Sequence, residues 1–286
     1  MMLKKGIYEE LINRELEKDI ESIEKSDMTC KRQDMDDAEA PKILAQYVAD
    51  SIRRKLEDIE EQQDRIKLVN DILVEAGLKG GMQITDDTKN LLTEVQTKEQ
   101  HLLQQESQTD TVRPRSGFRV SNLFTGGCSS LSLGEEIRRE IASADKIYFI
   151  VSFLRVSGIR ILMDDLQKFC SKKGSELRII TTTYCGATQA KAISQLASLP
   201  NTEIRISYNA EIERLHAKSY IFVRNSGMHT AYIGSSNLSK SAQTDGLEWN
   251  VKMTSIENPH IIKTALATFD MYWNSDNFED LNIGGN

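Results

Sequence analysis

The 286-residue chain contains no run of about 18 apolar residues, so no transmembrane helix is expected. Its four cysteines, Cys30, Cys128, Cys170 and Cys185, show neither metal-like spacing nor the density of a disulfide framework. Reduced thiols in a cytoplasmic protein are the expectation that follows. The opening "MMLKKGIYEELINREL" carries acids where a secretory signal needs an apolar stretch, so no export signal is expected. Histidine is scarce too, with only four in the chain. What remains is ordinary: 39% hydrophobic residues can bury a core for one large domain or two smaller ones.

The net charge of −7 argues against a polyanion-binding protein only if it is evenly spread, and it is not. Residues 1–112 carry −10 and residues 113–286 carry +3. The first part repels a polyanion, while the second has room for a local basic groove.

The periodicity divides at the same place. Residues 1–106 read as an α-helical region: Ile7, Leu11, Leu16, Ile20 and Ile23 recur at helical intervals. Pro41 suits the first turn of a second helix running through Val48, Ile52, Leu56, Ile59, Ile66 and Leu73 towards Gly77. A third helix is predicted from Thr85, an N-cap followed by acids, to about residue 106. "SQTDTVRPRSG" (107–117) is polar and reads as a linker. Beyond it, strand-like runs at 146–153, 176–183 and 202–208 alternate with helical segments near 132–144, 157–171 and 187–198. That alternation predicts an α/β layer with parallel strands over 118–280, ending in a short tail, 281–286. "HAKSYIFV" and "TAYIG" flank Asn225-Ser226-Gly227 as a β-hairpin. A short helix near 239–243, a strand at 248–254 and a helix near 260–273 follow.

Chemistry gathers in this last part. On a strand, residues two apart share a face, so His216 and Lys218 point together. An imidazole beside an ammonium suits a phosphate: one attacks or protonates, the other neutralises the non-bridging oxygens. Gly234-Ser235-Ser236-Asn237 lies just beyond the paired strand and offers hydroxyl, amide and backbone donors. Glu248, eleven positions after Asn237, is expected to accept from an imidazole N–H and fix its tautomer.

"HAK", "GSSN" and the spaced glutamate resemble the HxKxxxxD and GSxN motifs of the phospholipase D superfamily. The spacing is similar to that of its small single-motif nucleases. Residues 117–280 more narrowly resemble the phospholipase D-like domain at the N-terminus of large prokaryotic DEAD/DEAH-box helicases. The likeness rests on "IVSFLRVSGIRILMDDL", "IITTTYCGATQAKAI", "LPNTEIRISY", "RLHAKSYIF" and "AYIGSSNLSKSAQTDGLEWN". It implies an α/β fold with a phospholipase D-like mixed β-sheet flanked by helices, preceded here by the helical region. It also implies a metal-independent, cofactor-free phosphodiesterase, with His216, Lys218, Asn237 and Glu248 catalytic and Ser235, Ser236 and Arg214 on the substrate. One departure is Val223, which stands where the motif has aspartate. No second HxK occurs, since His101, His229 and His260 lack the lysine. Single-motif members build one site between two copies, each lending a histidine, so a homodimer or a higher even-numbered oligomer is implied. Nucleic acid is the implied substrate, DNA ahead of RNA. A helicase in cis or in trans, in restriction or phage defence, is the implied context, with no membrane.

Blander explanations stand beside these. A histidine and a lysine on one strand face often form only a solvated surface. With Val223 taken as decay, the same fold is a nucleic-acid-binding or assembly module; a phospholipid hydrolase is a third reading. Ser152, Arg155 and the 181–188 loop follow strand ends where ligands bind, though helix capping explains the threonines equally. Lys240 reads as a surface charge, Cys185 as an inert thiol, and Trp249 and Trp273 as packing residues rather than base-stacking platforms.

Overall fold

A computed structural model of the chain describes residues 3–78, 80–85, 91–99, 102, 111–126, 132–208, 215–238 and 248–281. Two compact units divide between Gln96 and Thr97. The expected helix at 239–243, Arg214, Lys240, His101 and Cys128 lie outside the described residues.

The first unit contains α1 (Arg14–Glu24), α2 (Ala40–Glu57) and α3 (Gln62–Glu75). Asn13 caps α1, its Oδ1 accepting from the N–H groups of Glu15 and Leu16 at 3.0 and 2.9 Å. Pro41 sits in the first turn of α2 as expected. The single helix predicted from 41 to 73 is instead two, broken between Asp58 and Glu61. A continuous helix would stack Glu57 on Glu61 and Asp58 on Glu61, like charges at helical spacing. The break moves Glu60 and Glu61 to the N-terminal side of α3, where the dipole favours them. At its other end α3 closes as a Schellman motif: Leu78 N–H bonds Leu73 C=O, and Gly77 N–H bonds Val74 C=O. Gly77 takes φ +76°, which suits glycine.

The third helix is not the continuous one expected from Thr85: residues 91–97 are irregular, and among the described residues of 85–106 helical conformation is found at 98, 99 and 102. Leu91, Leu92 and Val95 are largely exposed. A short helix without a surface on which to bury its apolar face is marginal in water. Among the described residues, only Ile20 and Ile66 form buried apolar positions in this unit.

The second unit is one eight-stranded sheet with order β1-β7-β6-β5-β2-β3-β4-β8. In chain order it contains β1 (Asn122–Phe124), α4 (Leu133–Ser143), β2 (Lys146–Val151), α5 (Val156–Cys170), β3 (Glu176–Thr182) and α6 (Ala190–Ala197). There follow β4 (Thr202–Ser207), β5 (Lys218–Val223), β6 (Thr230–Gly234), β7 (Asn250–Thr254), α7 (Pro259–Trp273) and β8 (Glu279–Asp280). Strands β2, β3 and β4 are parallel, and every other pairing is antiparallel. The sheet is therefore mixed, as the resemblance implied. The short edge strands β1 and β8 were not predicted. Residues 113–117, from the expected linker, are packed into this unit, with Arg115 and Ser116 N–H both bonding Glu136 at 2.9 Å.

Alternation along each strand feeds two cores. Ile147, Phe149, Val151, Tyr220 and Phe222 face α4, α5 and α6. Tyr148, Ile150, Ile221, Ala231 and Met253 face α7 through Phe269 and Trp273. Trp273 is buried as expected, with the Arg178 and Arg205 guanidinium groups each 5.0 Å from its ring.

Between α4 and the sheet lies a buried polar cluster. Glu140 accepts from Thr230 and Tyr232 hydroxyls at 2.8 Å and from Lys252 Nζ at 3.0 Å, and pairs with Arg224. Lys252 also donates to Ser116 Oγ and Gly117 C=O, both at 2.7 Å. Burial and the neighbouring Glu140 and Glu136 charges push the Tyr232 hydroxyl well above the ordinary tyrosine pKa. Removing one partner leaves a buried charge unbalanced, which costs about 3–5 kcal/mol. Lys252→Met should destabilise the second unit by that order, whereas Arg178→Met, in a half-exposed ion-pair ladder, should cost under about 1 kcal/mol. Both tryptophans of the chain lie in this unit, so fluorescence-detected urea unfolding isolates it. Equal effects of the two substitutions would contradict the assignment.

Candidate functional site

The candidate residues meet where β2 ends, β5 begins and β6 passes to β7. Val151 pairs with Lys218, and Gly234 with Asn250. This is the carboxyl end of the parallel strands, where open α/β sheets bind ligands.

His216 does not lie on the strand as expected. Strand β5 starts at Lys218, so His216 and Ala217 form its approach. The two side chains nonetheless come together, and their environments differ: His216 is exposed while Lys218 is buried. Lys218 Nζ stands 3.0 Å from His216 Nδ1 and 3.1 Å from Nε2, and donates to the His216 carbonyl at 2.6 Å. A ring nitrogen accepts from an ammonium only when it carries no proton, so this contact belongs to the neutral imidazole. Phe153 sets its ring edge-on to His216, with centroids 6.5 Å apart.

Burial lowers the Lys218 pKa below the ordinary 10.5, and the Glu248 carboxylate partly opposes that shift. Burial and the same carboxylate raise the Tyr220 hydroxyl. Glu248 therefore acts on the site through its charge on Lys218. The expected hydrogen bond from His216 to Glu248 does not form; the imidazole nitrogens face the lysine instead.

The 234–237 turn is held from three sides. Ser235 N–H bonds Trp249 C=O at 3.0 Å, and Trp249 N–H returns a bond to Ser235 Oγ at 3.1 Å. Ser236 is wholly buried: Asn250 Nδ2 donates to its Oγ at 2.7 Å and Tyr220 OH to its carbonyl at 2.8 Å. Asn237 Oδ1 accepts from Phe153 N–H at 3.1 Å, tying the turn to the end of β2. That leaves the Asn237 NH2 end to donate outward.

The expected substrate contacts separate accordingly. Ser235 is exposed and accessible, Ser236 is committed to structure, and Arg214 lies outside the described residues. Ser152 is buried, its hydroxyl bonding the Ala217 carbonyl at 3.3 Å beside His216. Thr182 and Thr183 hydroxyls both go to the Ser207 carbonyl, at 3.1 and 3.4 Å, so strand-end structure engages them. Trp249, expected to pack, is 64% exposed. Tyr220, Asn250 and the Phe153 backbone were missed. Only the position of Asn250, two after Glu248, offered a signal.

Val223, the departure from the motif, ends β5 while Lys218 begins it. Five residue steps separate them by about 17 Å at strand rise. Val223 C=O accepts from Asp145 N–H at 2.9 Å, and Asp145 Oδ2 accepts from Asn225 N–H at 2.7 Å. The missing aspartate thus bears on a distant hairpin corner and leaves the His216–Lys218 pair untouched.

Residues 137–273 match the family model described as "Cardiolipin synthase, PLD-like domain". The matched segment runs from within α4 to the end of α7 and contains every site residue above. Among solved structures, Nuc, a phospholipase D family member from Salmonella typhimurium, is similar at 21% identity. The match covers 57% of this chain and 99% of that one with TM-score 0.44. NucT from Helicobacter pylori is similar at 19% identity over 55% and 96% of the two chains, TM-score 0.39. Phosphatidylserine synthase from Haemophilus influenzae Rd KW20 is similar at 12% identity over 56% and 39%, TM-score 0.41. No curated protein sequence matches the chain.

A Cβ on Gly234 would collide with the Trp249 carbonyl oxygen and stand 2.7 Å from Asn250 Cα, both backbone atoms. Gly234→Ala must therefore part β6 from β7, with an expected loss of roughly 1–3 kcal/mol or more. Exchange protection of the Ser235 amide should collapse in the variant. An unchanged amide would contradict the geometry.

Proposed function

We propose that the phospholipase D-like domain is a metal-independent phosphodiesterase that cleaves nucleic acid, DNA ahead of RNA, through a phosphohistidine intermediate. The observation that carries this reading is the exposed His216 imidazole held against the buried Lys218 ammonium beside the Asn237 turn. In the first step a ring nitrogen of His216 donates its lone pair to phosphorus, and the bond from phosphorus to the leaving oxygen breaks. Lys218 and the Asn237 NH2 group stabilise charge on the non-bridging oxygens. The leaving oxygen needs a proton, and a second imidazole, His216 of a second copy, supplies it. That imidazole, now neutral, takes a proton from water as the water oxygen attacks phosphorus, releasing the first His216. The cycle thus needs one neutral and one protonated imidazole, a division within reach of histidine near neutral pH.

An open rim carrying the nucleophile suits a polymer, whose phosphates are presented along its length. The +3 charge of residues 113–286 favours a polyanion there. Cytoplasmic residence, coupling to a helicase and a role in restriction or phage defence belong to the same reading through the sequence resemblance. The helical first unit serves assembly within it.

The test is a nuclease assay on labelled DNA and RNA in EDTA, run beside His216→Ala. Wild type should cleave and the variant should lose at least about 10³-fold, the order seen when a nucleophile is removed. Activity that survives in His216→Ala sinks the enzyme reading and leaves a binding or assembly module.

The pH profile offers a second check. Lys218 works as a cation, and its pKa is lowered, so the alkaline limb that begins with loss of the acid imidazole should gain a second, steeper fall as pH rises through a value below 10.5. Glu248 opposes the shift, so Glu248→Gln should move this second fall to lower pH. A fall that stays fixed or moves upward would contradict the role given to Glu248.

A further inference from the structure

Past the carboxyl ends of β2 and β3 the chain carries charge of one sign. Residues 151–163 contain Arg155 and Arg160, residues 183–202 contain Lys191, and neither stretch contains an acid. Asp164 comes only a turn beyond Arg160 on α5. All three cations are exposed, and none of their side chains has a hydrogen-bond or ion-pair partner among the described residues.

Backbone bonds fix Arg155 beside the reacting groups. Leu154 forms a parallel bridge with Leu238, and Arg155 N–H bonds the Leu238 carbonyl at 3.1 Å, one residue past Asn237. Neighbouring strands stand about 5 Å apart, so Arg155 lies one strand spacing from the Asn237 turn. The chain is extended there and Leu154 is buried, so Phe153 and Arg155 project together to the other side. Phe153 turns its ring to His216, and the guanidinium therefore leaves the chain on the side of the imidazole. Gln189 brings in the second loop: its N–H bonds the Leu154 carbonyl at 2.9 Å, and its Oε1 accepts from Val156 N–H at 2.8 Å. The C=O of Leu154 and the N–H of Arg155 belong to one trans peptide and point opposite ways. Leu238 and Gln189 thus flank Arg155 on opposite sides, and Lys191 follows two residues after Gln189. Asn237, Arg155 and Lys191 succeed one another across the carboxyl end of the sheet.

A ligand with a single phosphate is served by His216, Lys218 and Asn237. Cations in line beyond them suit an anion that continues, as a polynucleotide backbone does. A membrane surface is also polyanionic, but a protein that lies on it inserts apolar side chains. Among the described residues from 132 to 207, no large hydrophobic side chain is exposed.

We propose that Arg155 and Lys191 bind the phosphates next to the one attacked, so that the nucleic-acid strand runs from His216 across β2 towards α6. This rests on the nucleic-acid reading above, and binding measured apart from cleavage lets the two fail separately.

Binding of a labelled single-stranded DNA oligonucleotide is measured against salt concentration with the full chain carrying His216→Ala. Adding Arg155→Ala or Lys191→Ala should weaken binding about tenfold, the order of one charge-assisted hydrogen bond. Each should also reduce the slope of log affinity on log salt by about 0.7. Arg155→Lys should recover part of the affinity. Lys263→Ala, an exposed cation on α7 across the sheet, removes the same charge and should change neither quantity. With His216 intact, the loss on the oligonucleotide should fall on KM rather than kcat. It should be several-fold smaller on bis(p-nitrophenyl) phosphate, which has one phosphate. Variants that bind DNA as their parent does, with the same salt slope, overturn the track. An equal loss on both substrates also overturns it, by placing Arg155 at the attacked phosphate. So does an equal loss of binding to phosphatidylglycerol vesicles, which would make the surface a membrane contact. A wild type that cleaves neither substrate, yet whose DNA affinity depends on Arg155 and Lys191, keeps the track and overturns the phosphodiesterase reading.

Discussion

The carboxylate of Glu140 holds the second unit in register. It reaches from α4 to Thr230 and Tyr232 on β6, Lys252 on β7 and Arg224 just past β5. Glu136, one turn earlier, gathers the backbone of 115–116, and Lys252 lies 3.6 Å from it. Two buried anions face two buried cations, so the cluster is neutral as a whole. Its stability comes from every charge having partners, since burying ions is itself costly. Its effect is geometric: three antiparallel strands are tied to one helix turn and cannot slip, because a slip by one residue would reverse every side chain. That register sets Gly234 opposite Asn250 and Lys218 opposite Val151. The candidate site is a consequence of that alignment.

Much of the fold was legible because it follows local rules. Alternation of apolar residues marked β2 to β4, and helical spacing marked α4 to α7. The break between α2 and α3 was hidden because apolar periodicity continues across Asp58–Glu61 while the acids there oppose a continuous helix. The helix expected from Thr85 failed for a related reason, since Leu91, Leu92 and Val95 had no surface to cover. The edge strands β1 and β8 are three and two residues long, too short to show a period. Glu140 and Lys252 were invisible in another way. In sequence they are charges on an amphipathic helix and an alternating strand. Their burial depends on partners as far as 92 and 136 positions away.

The site was half legible for similar reasons. His216, Lys218 and the 234–237 turn stand at fixed offsets, and the fold brings them together. The partner of the imidazole was not readable, because Glu248 and Lys218 both lay within plausible reach of His216. The choice fell to Lys218, whose short path along the chain to His216 makes the contact nearly local. Val223 belongs to the same motif as Lys218 but stands at the opposite end of β5. A strand carries its two ends to opposite rims of a sheet, so residues five apart in sequence need share no chemistry.

The burial gradient across this small group explains why these residue types occupy these positions. A lysine in the body of the sheet loses solvation, and its ammonium can keep its proton only if acceptors and an anion stand near. The His216 carbonyl and the Glu248 charge supply those. The result is a cation with little freedom, aimed at a ring that does have access to solvent. A phosphate arriving from outside would meet the imidazole first and the charge behind it. Were the order reversed, the nucleophile would sit behind a solvated ammonium that binds phosphate without presenting it to anything. In the reaction proposed, rigid charge behind an accessible ring lets the binding of a phosphoryl group and the attack on it become one event.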